Sequence, residues 1–262
     1  MRDRRWFVAL ALIAIAGLAL RIAYVLITKH PRHLGGDDFY YHYGANLLVD
    51  GRGFVDPIQL LQFHRTTPGA AHPPGYIVAL ALPSLFRLRS VLDHQLWSCI
   101  IGAGTIVLVG LAGREVGGRR VGLTAAALAA VYPNMWFYDS VVMSETLVLF
   151  TTALTILIAY RFARQPSMRL AIGLGVSVGI TALTRAESIL LVPLLLVPLA
   201  LWLRGPAIRR RLQLLAISVG ATLLTIAPWV GYNLVRFERP VYLSSNLELT
   251  LLSANCDETY SG

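Results

Sequence analysis

Long apolar runs set the pattern of this chain. Seven of them, residues 6–28, 95–112, 121–137, 145–163, 169–185, 188–203 and 212–235, approach the ~20 residues a helix needs to cross the hydrocarbon core of a membrane. An eighth, residues 75–86, is bounded by His72-Pro73-Pro74 and Arg87-Leu88-Arg89. Its dozen or so residues predict an interfacial or re-entrant helix rather than a span.

The arginines orient the runs. With the N-terminus inside and seven crossings, the inner segments carry Arg2, Arg4, Arg5, Arg114, Arg119, Arg120, Arg161, Arg164, Arg169, Arg204, Arg209, Arg210 and Arg211, against only Asp3 and Glu115. Counting residues 75–86 as a crossing would invert everything after it and put Arg119, Arg120 and Arg209 to Arg211 outside, against the positive-inside rule. The outer face then holds a long first loop, residues 29–94, tight turns near Asp139 and Arg185, and the tail from Arg236 onward. Within the loop, Asp38 to Val49 and Pro57 to His64 read as short helices along the membrane surface. The expected fold class is an all-α membrane protein.

Composition agrees. At 262 residues, 56% hydrophobic and 14% charged, the chain is too apolar for an ordinary soluble domain. The net charge of +9 is scattered between apolar runs and not gathered on a polar face, so no nucleic-acid partner is expected. Two cysteines, Cys99 in a span and Cys256 in the tail, make neither a disulfide framework nor a metal cluster, and both are read as free. The first run outlasts a typical signal-peptide core and lacks a clear small-residue cleavage site, so it reads as an uncleaved first helix.

Four polar motifs fall at the outer face. Gly35-Gly36-Asp37-Asp38 follows the first run. Two adjacent carboxylates at a bend suit a general base or a metal, or else Asp37 caps the next helix and Asp38 sits in its first turn. The neighbouring Tyr40, Tyr41 and His42 fit a sugar-contacting wall or an aromatic interfacial belt. His72-Pro73-Pro74-Gly75-Tyr76 opens the short apolar helix and puts an imidazole where an anionic headgroup can meet it, or simply in water. At the next outer turn, Asp139, Ser140, Ser144 and Glu145 are capping residues or carboxylates that face a cavity. Leu183-Thr184-Arg185-Ala186-Glu187 carries the lone basic residue of its turn, suited to snorkelling or to a lipid phosphate. One topology brings all four to one face. Acid pairs with one or two cations there suit group transfer from an anionic lipid: a carboxylate takes the acceptor's proton while Arg or His steadies the departing phosphate.

The order of these motifs resembles that of the GT-C glycosyltransferases: an acidic pair, His-Pro-Pro, an inner Gly118-Arg119-Arg120, Pro133 to Ser144-Glu145, then Leu183-Thr184-Arg185-x-Glu187. Glycosyltransferase family 39, which includes protein O-mannosyltransferases and lipid A aminoarabinose transferases, is the closest group. The resemblance implies a seven-helix module with juxtamembrane helices in its first outer loop, and a polyprenyl-phosphate sugar as donor. By position Asp37, with Asp38 in place of the usual Glu, matches the catalytic acid. His72 and Arg185 match donor-phosphate contacts, and Asp139 or Glu145 matches a second-loop acid. Tyr40, Tyr41, His42, Tyr76 and Glu187 are the expected sugar or acceptor contacts.

The implied reaction is an inverting displacement at the anomeric carbon in a bacterial cell membrane, on the extracytoplasmic side, toward a glycan, lipid or protein acceptor. Some relatives hold a divalent metal through a Glu before the Lys-Pro or His-Pro pair. Ala71 stands there in this chain, so no cofactor is expected to be required. Residues 1–235 read as the transmembrane module and 236–262 as the start of an outer loop in a chain expected to be partial. The rival readings are a lipid or sugar transporter or flippase, which would show repeat symmetry and charges at mid-span, and a non-catalytic assembly subunit that kept the fold.

Overall fold

The computed structural model describes residues 2–28 and 34–246. Cys256 and the rest of the expected outer tail lie outside the described residues. The described residues form helices and connecting turns, with one isolated antiparallel bridge between Val55 and Pro68. The protein is an all-α membrane protein.

Among the described residues four helices are long and apolar enough to cross a bilayer: α1 (Arg2–Thr28), α5 (Val91–Val131), α7 (Glu145–Arg164) and α10 (Ile208–Arg236). Large apolar side chains such as Leu12, Ile15, Leu223 and Leu224 point outward from them, the surface a lipid solvent requires. Helix α5 is two arms. Gly118 adopts φ +80 after a non-helical Gly117, and residues 119–131 fold back along residues 91–116. Gly110, Gly113 and Gly122 let the arms touch: a Cβ at Gly113 would lie 3.1 Å from the Cα of Gly122. Helix α8 (Met168–Thr184) and the segment Ala186–Trp202 are shorter apolar rods. The latter runs as a 3₁₀ turn, a π turn and α9 (Val197–Trp202), with Pro193 and Pro198 interrupting the regular hydrogen bonds. Counting both arms of α5, the long apolar rods among the described residues number the seven the hydrophobic runs predict.

One boundary differs from the sequence reading. The run expected over 121–137 stops at Val131, and α6 (Pro133–Ser140) starts as a separate helix. Tyr132 precedes a proline and is extended, at φ −72 and ψ 116, which ends one helix while Pro133 opens the next.

The loop before α5 contains α2 (Asp37–Val49), α3 (Pro57–Phe63) and α4 (Gly75–Leu85). Asp56 caps α3 through its side chain, and α4 packs on α2 through Tyr40, Tyr41, Tyr76, Ile77 and Leu80. The two ends of the bundle differ in chemistry. At one, Asp3 pairs with Arg114 and Arg119, and Glu115 with Arg161 and Arg164. These are the basic turns assigned to the inner side. The other end carries α2 to α4, α6 and the turn after α8.

Candidate active site

Gly36, at φ +90, lets the chain turn sharply into α2. The helix start then separates the two carboxylates. Asp38 Oδ1 accepts from the backbone N–H of Gly35 at 2.9 Å and of Phe39 at 2.7 Å, so Asp38 closes the turn. Asp37 makes no capping hydrogen bond and turns outward, where its Oδ1 lies 3.1 Å from His72 Nε2. That hydrogen bond holds the Asp37 carboxyl below its ordinary value of 3.8. The His72 ring lies over Tyr41, with centroids 4.8 Å apart, and against Tyr40. Burial raises the Tyr40 and Tyr41 hydroxyls above their usual range, so both rings stay neutral.

Gly75 brings the second half of the site to the first. A Cβ there would stand 2.6 Å from the Leu183 carbonyl oxygen and 2.9 Å from Thr184 Oγ1, so only a glycine lets the start of α4 seat on the end of α8. The next residue after α8 is Arg185, whose Nη1 donates to Glu145 Oε1 at 2.6 Å and whose Nε lies 3.7 Å from Glu187 Oε2. Glu145 opens α7. The turn before it contains Val142 at φ +52, a strained conformation for a β-branched residue, held because the side chain is buried with Tyr41 and Tyr76.

These residues line one cavity of about 550 Å³: Asp37, Tyr41, His72, Glu145, Arg185 and Glu187, with residues 240–246 forming the far wall. That wall is a strap. The Leu243 carbonyl accepts from Trp229 Nε1 at 2.9 Å, and Ser245 N donates to the Ala70 carbonyl at 2.8 Å. Nothing in the polar tail sequence foretold this return.

The other expected site residues lie behind the cavity. Tyr40 is buried. Tyr76 Oη bonds Ser98 Oγ at 2.7 Å in the interior. His42 is buried and its Nδ1 lies 3.1 Å from His94 Nδ1, while His94 Nε2 lies 2.9 Å from Ser84 Oγ. Asp139 is fully buried, accepting from Arg21 Nε at 2.9 Å and from Thr146 Oγ1 at 2.8 Å. The serines do not cap α7 either: Ser140 Oγ donates to the Phe137 carbonyl, and Ser144 makes no side-chain cap.

The family model for dolichyl-phosphate-mannose-protein mannosyltransferase matches residues 71–232. The chain belongs to this family. It is a membrane glycosyltransferase of the GT-C type. The match spans His72, Asp139, Glu145, Arg185 and Glu187, and Asp37 and Asp38 lie outside it, N-terminal to its first residue. No curated protein matches the chain. At the position where some GT-C enzymes carry a metal-binding Glu, Ala71 offers no ligand, and no group of three or more His, Cys, Asp or Glu among the described residues is placed to hold an ion.

Proposed function

We propose that the cavity transfers a sugar from a polyprenyl-phosphate carrier to a hydroxyl acceptor on a glycan, lipid or protein, on the extracytoplasmic side of a bacterial cell membrane. The observation that carries this reading is the gathering of an ionised carboxylate, Asp37, with an imidazole and a guanidinium, His72 and Arg185, around one cavity. Donor type and membrane side rest on the family and on the charge asymmetry between the two ends of the bundle.

In this reading the donor lies with its phosphate toward Arg185 and His72 and its anomeric carbon toward Asp37. The acceptor oxygen attacks that carbon as the bond to the phosphate oxygen breaks. Asp37 takes the acceptor's proton, and the electron pair leaves with the lipid phosphate, where the Arg185 guanidinium and an N–H of His72 stabilise it. A single displacement inverts the anomeric configuration. Tyr41 supplies an apolar wall beside the sugar, and Glu187, exposed at the rim, faces the acceptor.

The test is Asp37→Asn, assayed for release of polyprenyl phosphate from a polyprenyl-phosphate sugar. Turnover is expected to fall by roughly 10²- to 10⁴-fold, the usual contribution of a general base. Unchanged turnover would remove Asp37 from the chemistry.

A further inference from the structure

Three carboxylates, Asp37, Glu145 and Glu187, share the cavity with one guanidinium, Arg185. Glu145 holds that guanidinium at 2.6 Å and Glu187 approaches it at 3.7 Å. Even with His72 protonated the cavity is net negative, which opposes entry of a phosphate. A phosphate that binds Arg185 therefore competes with Glu145 for it.

Glu145 has a second property that points the same way. Its Oε2 is buried and has no hydrogen-bond partner. A carboxylate oxygen withdrawn from water and left bare is costly, and such an atom marks a place where a donor group arrives. The Glu145 backbone cannot drift to relieve it, because α7 starts there and the preceding Val142 is locked into the core. Arg185 is the partner with room to turn, with 46% of its side chain exposed against 22% for Glu145.

Building on the polyprenyl-phosphate reading, we propose that Glu145 is an exchangeable counter-ion that lets the site distinguish a sugar-loaded carrier from a spent one. On loading, Arg185 turns from Glu145 to the phosphate, and Glu145 Oε2 accepts a hydrogen bond from a sugar hydroxyl. After transfer the sugar has left with the acceptor, so Glu145 has no hydroxyl partner. It recaptures Arg185, and the lipid phosphate loses its cation and departs. Glu145 forms and breaks no covalent bond; it sets the order of affinities that clears the spent carrier from the site.

The experiment measures binding of undecaprenyl phosphate, the carrier without sugar, to the purified full-length protein, with inorganic phosphate as a parallel arm. Glu145→Gln keeps the side chain's size and removes its charge. It is expected to bind undecaprenyl phosphate about tenfold more tightly than wild type, with a matching fall in the concentration at which that lipid inhibits turnover. Glu145→Asp, which lengthens the contact to Arg185, is expected to fall between the two. The gain disappears when Arg185→Gln is added, whereas Glu187→Gln alone, at a group 73% exposed, leaves binding nearly unchanged. Tightening of both probes in Glu145→Gln would show that the exchange reads the phosphate without needing the lipid chain, and supports it. Unchanged or weaker lipid binding in Glu145→Gln, or an equal gain in Glu187→Gln, overturns the exchange. A wild-type protein that binds neither probe overturns the lipid-phosphate reading itself, and this inference with it.

Discussion

Arg21 Nε and Asp139 Oδ2 lie 2.9 Å apart, and neither side chain reaches the surface. Arg21 also donates to the Gly17 and Met135 carbonyls, and Thr146 completes Asp139, so the pair ties α1 to α6 and α7. Room for it is made at Gly102, where a Cβ would stand 2.5 Å from Asp139 Oδ2 and 2.8 Å from Arg21 Nε. This makes Asp139 a structural acid rather than a cavity acid. Removing one partner strands the other charge, so Asp139→Leu alone is expected to destabilise the fold by about 3–5 kcal/mol, and adding Arg21→Met should restore most of it. Thermal unfolding in detergent checks both. The folded fraction of the double variant should keep turnover, which Asp37→Asn does not.

The hydrogen bond from His72 gives Asp37 a pH signature. A carboxyl held below 3.8 keeps its charge to lower pH than an unpaired one, and its contribution to stability is present above the unfolded value and lost as pH falls through the folded one. The acid limb of the kcat/KM profile is expected below 3.8 in the wild type and should move up toward that value in His72→Gln. A limb that stays in place would mean that His72 does not set the ionisation of Asp37.

Behind the cavity, His42 and His94 share one proton between facing Nδ1 atoms. Ser84 Oγ donates to Asn46 Oδ1 at 2.8 Å, so His94 donates from Nε2 to Ser84, and His42 donates from Nδ1 to His94. Burial pushes His42 down to about 4 from 6.5. A depressed histidine contributes stability that is complete above its unfolded value and declines as pH falls from 6.5 toward 4. The docking of α2 on α5 is therefore expected to weaken across that window. In His42→Asn, which can still donate to His94, the melting temperature should become less pH-dependent there.

Gly75 sets the distance between the two halves of the cavity. Gly75→Ala is expected to push α4 away from the end of α8, because its Cβ meets backbone rather than a flexible side chain. A displacement of ~1 Å at the reacting groups costs on the order of 10²-fold in turnover. Steady-state kinetics beside an unchanged helical circular dichroism spectrum would register this.

Much of this architecture was legible in the hydrophobic pattern. The short helices of the first loop fall within a residue of their expected limits, and α4 packs beside α2. The convergence of Asp37, His72, Glu145 and Arg185 also follows from counting crossings. What periodicity could not show was pairing across distance. Arg21 lies inside the first apolar run, and its partner Asp139 stands 118 residues away in the sequence. The division of work between Asp37 and Asp38 depends on which carboxylate the Gly36 turn uses, a matter of backbone angles that two identical residue types do not reveal.

The reversal at Gly117 and Gly118 has a bearing on everything downstream of it. Had those residues continued the helix, one rod of 41 residues would have stood where two now lie side by side. Each later segment would then have run the other way, carrying Glu145 and Arg185 to the end of the bundle opposite Asp37. Two residues without side chains thus decide the parity of the chain, and with it whether an enzyme can be assembled here at all.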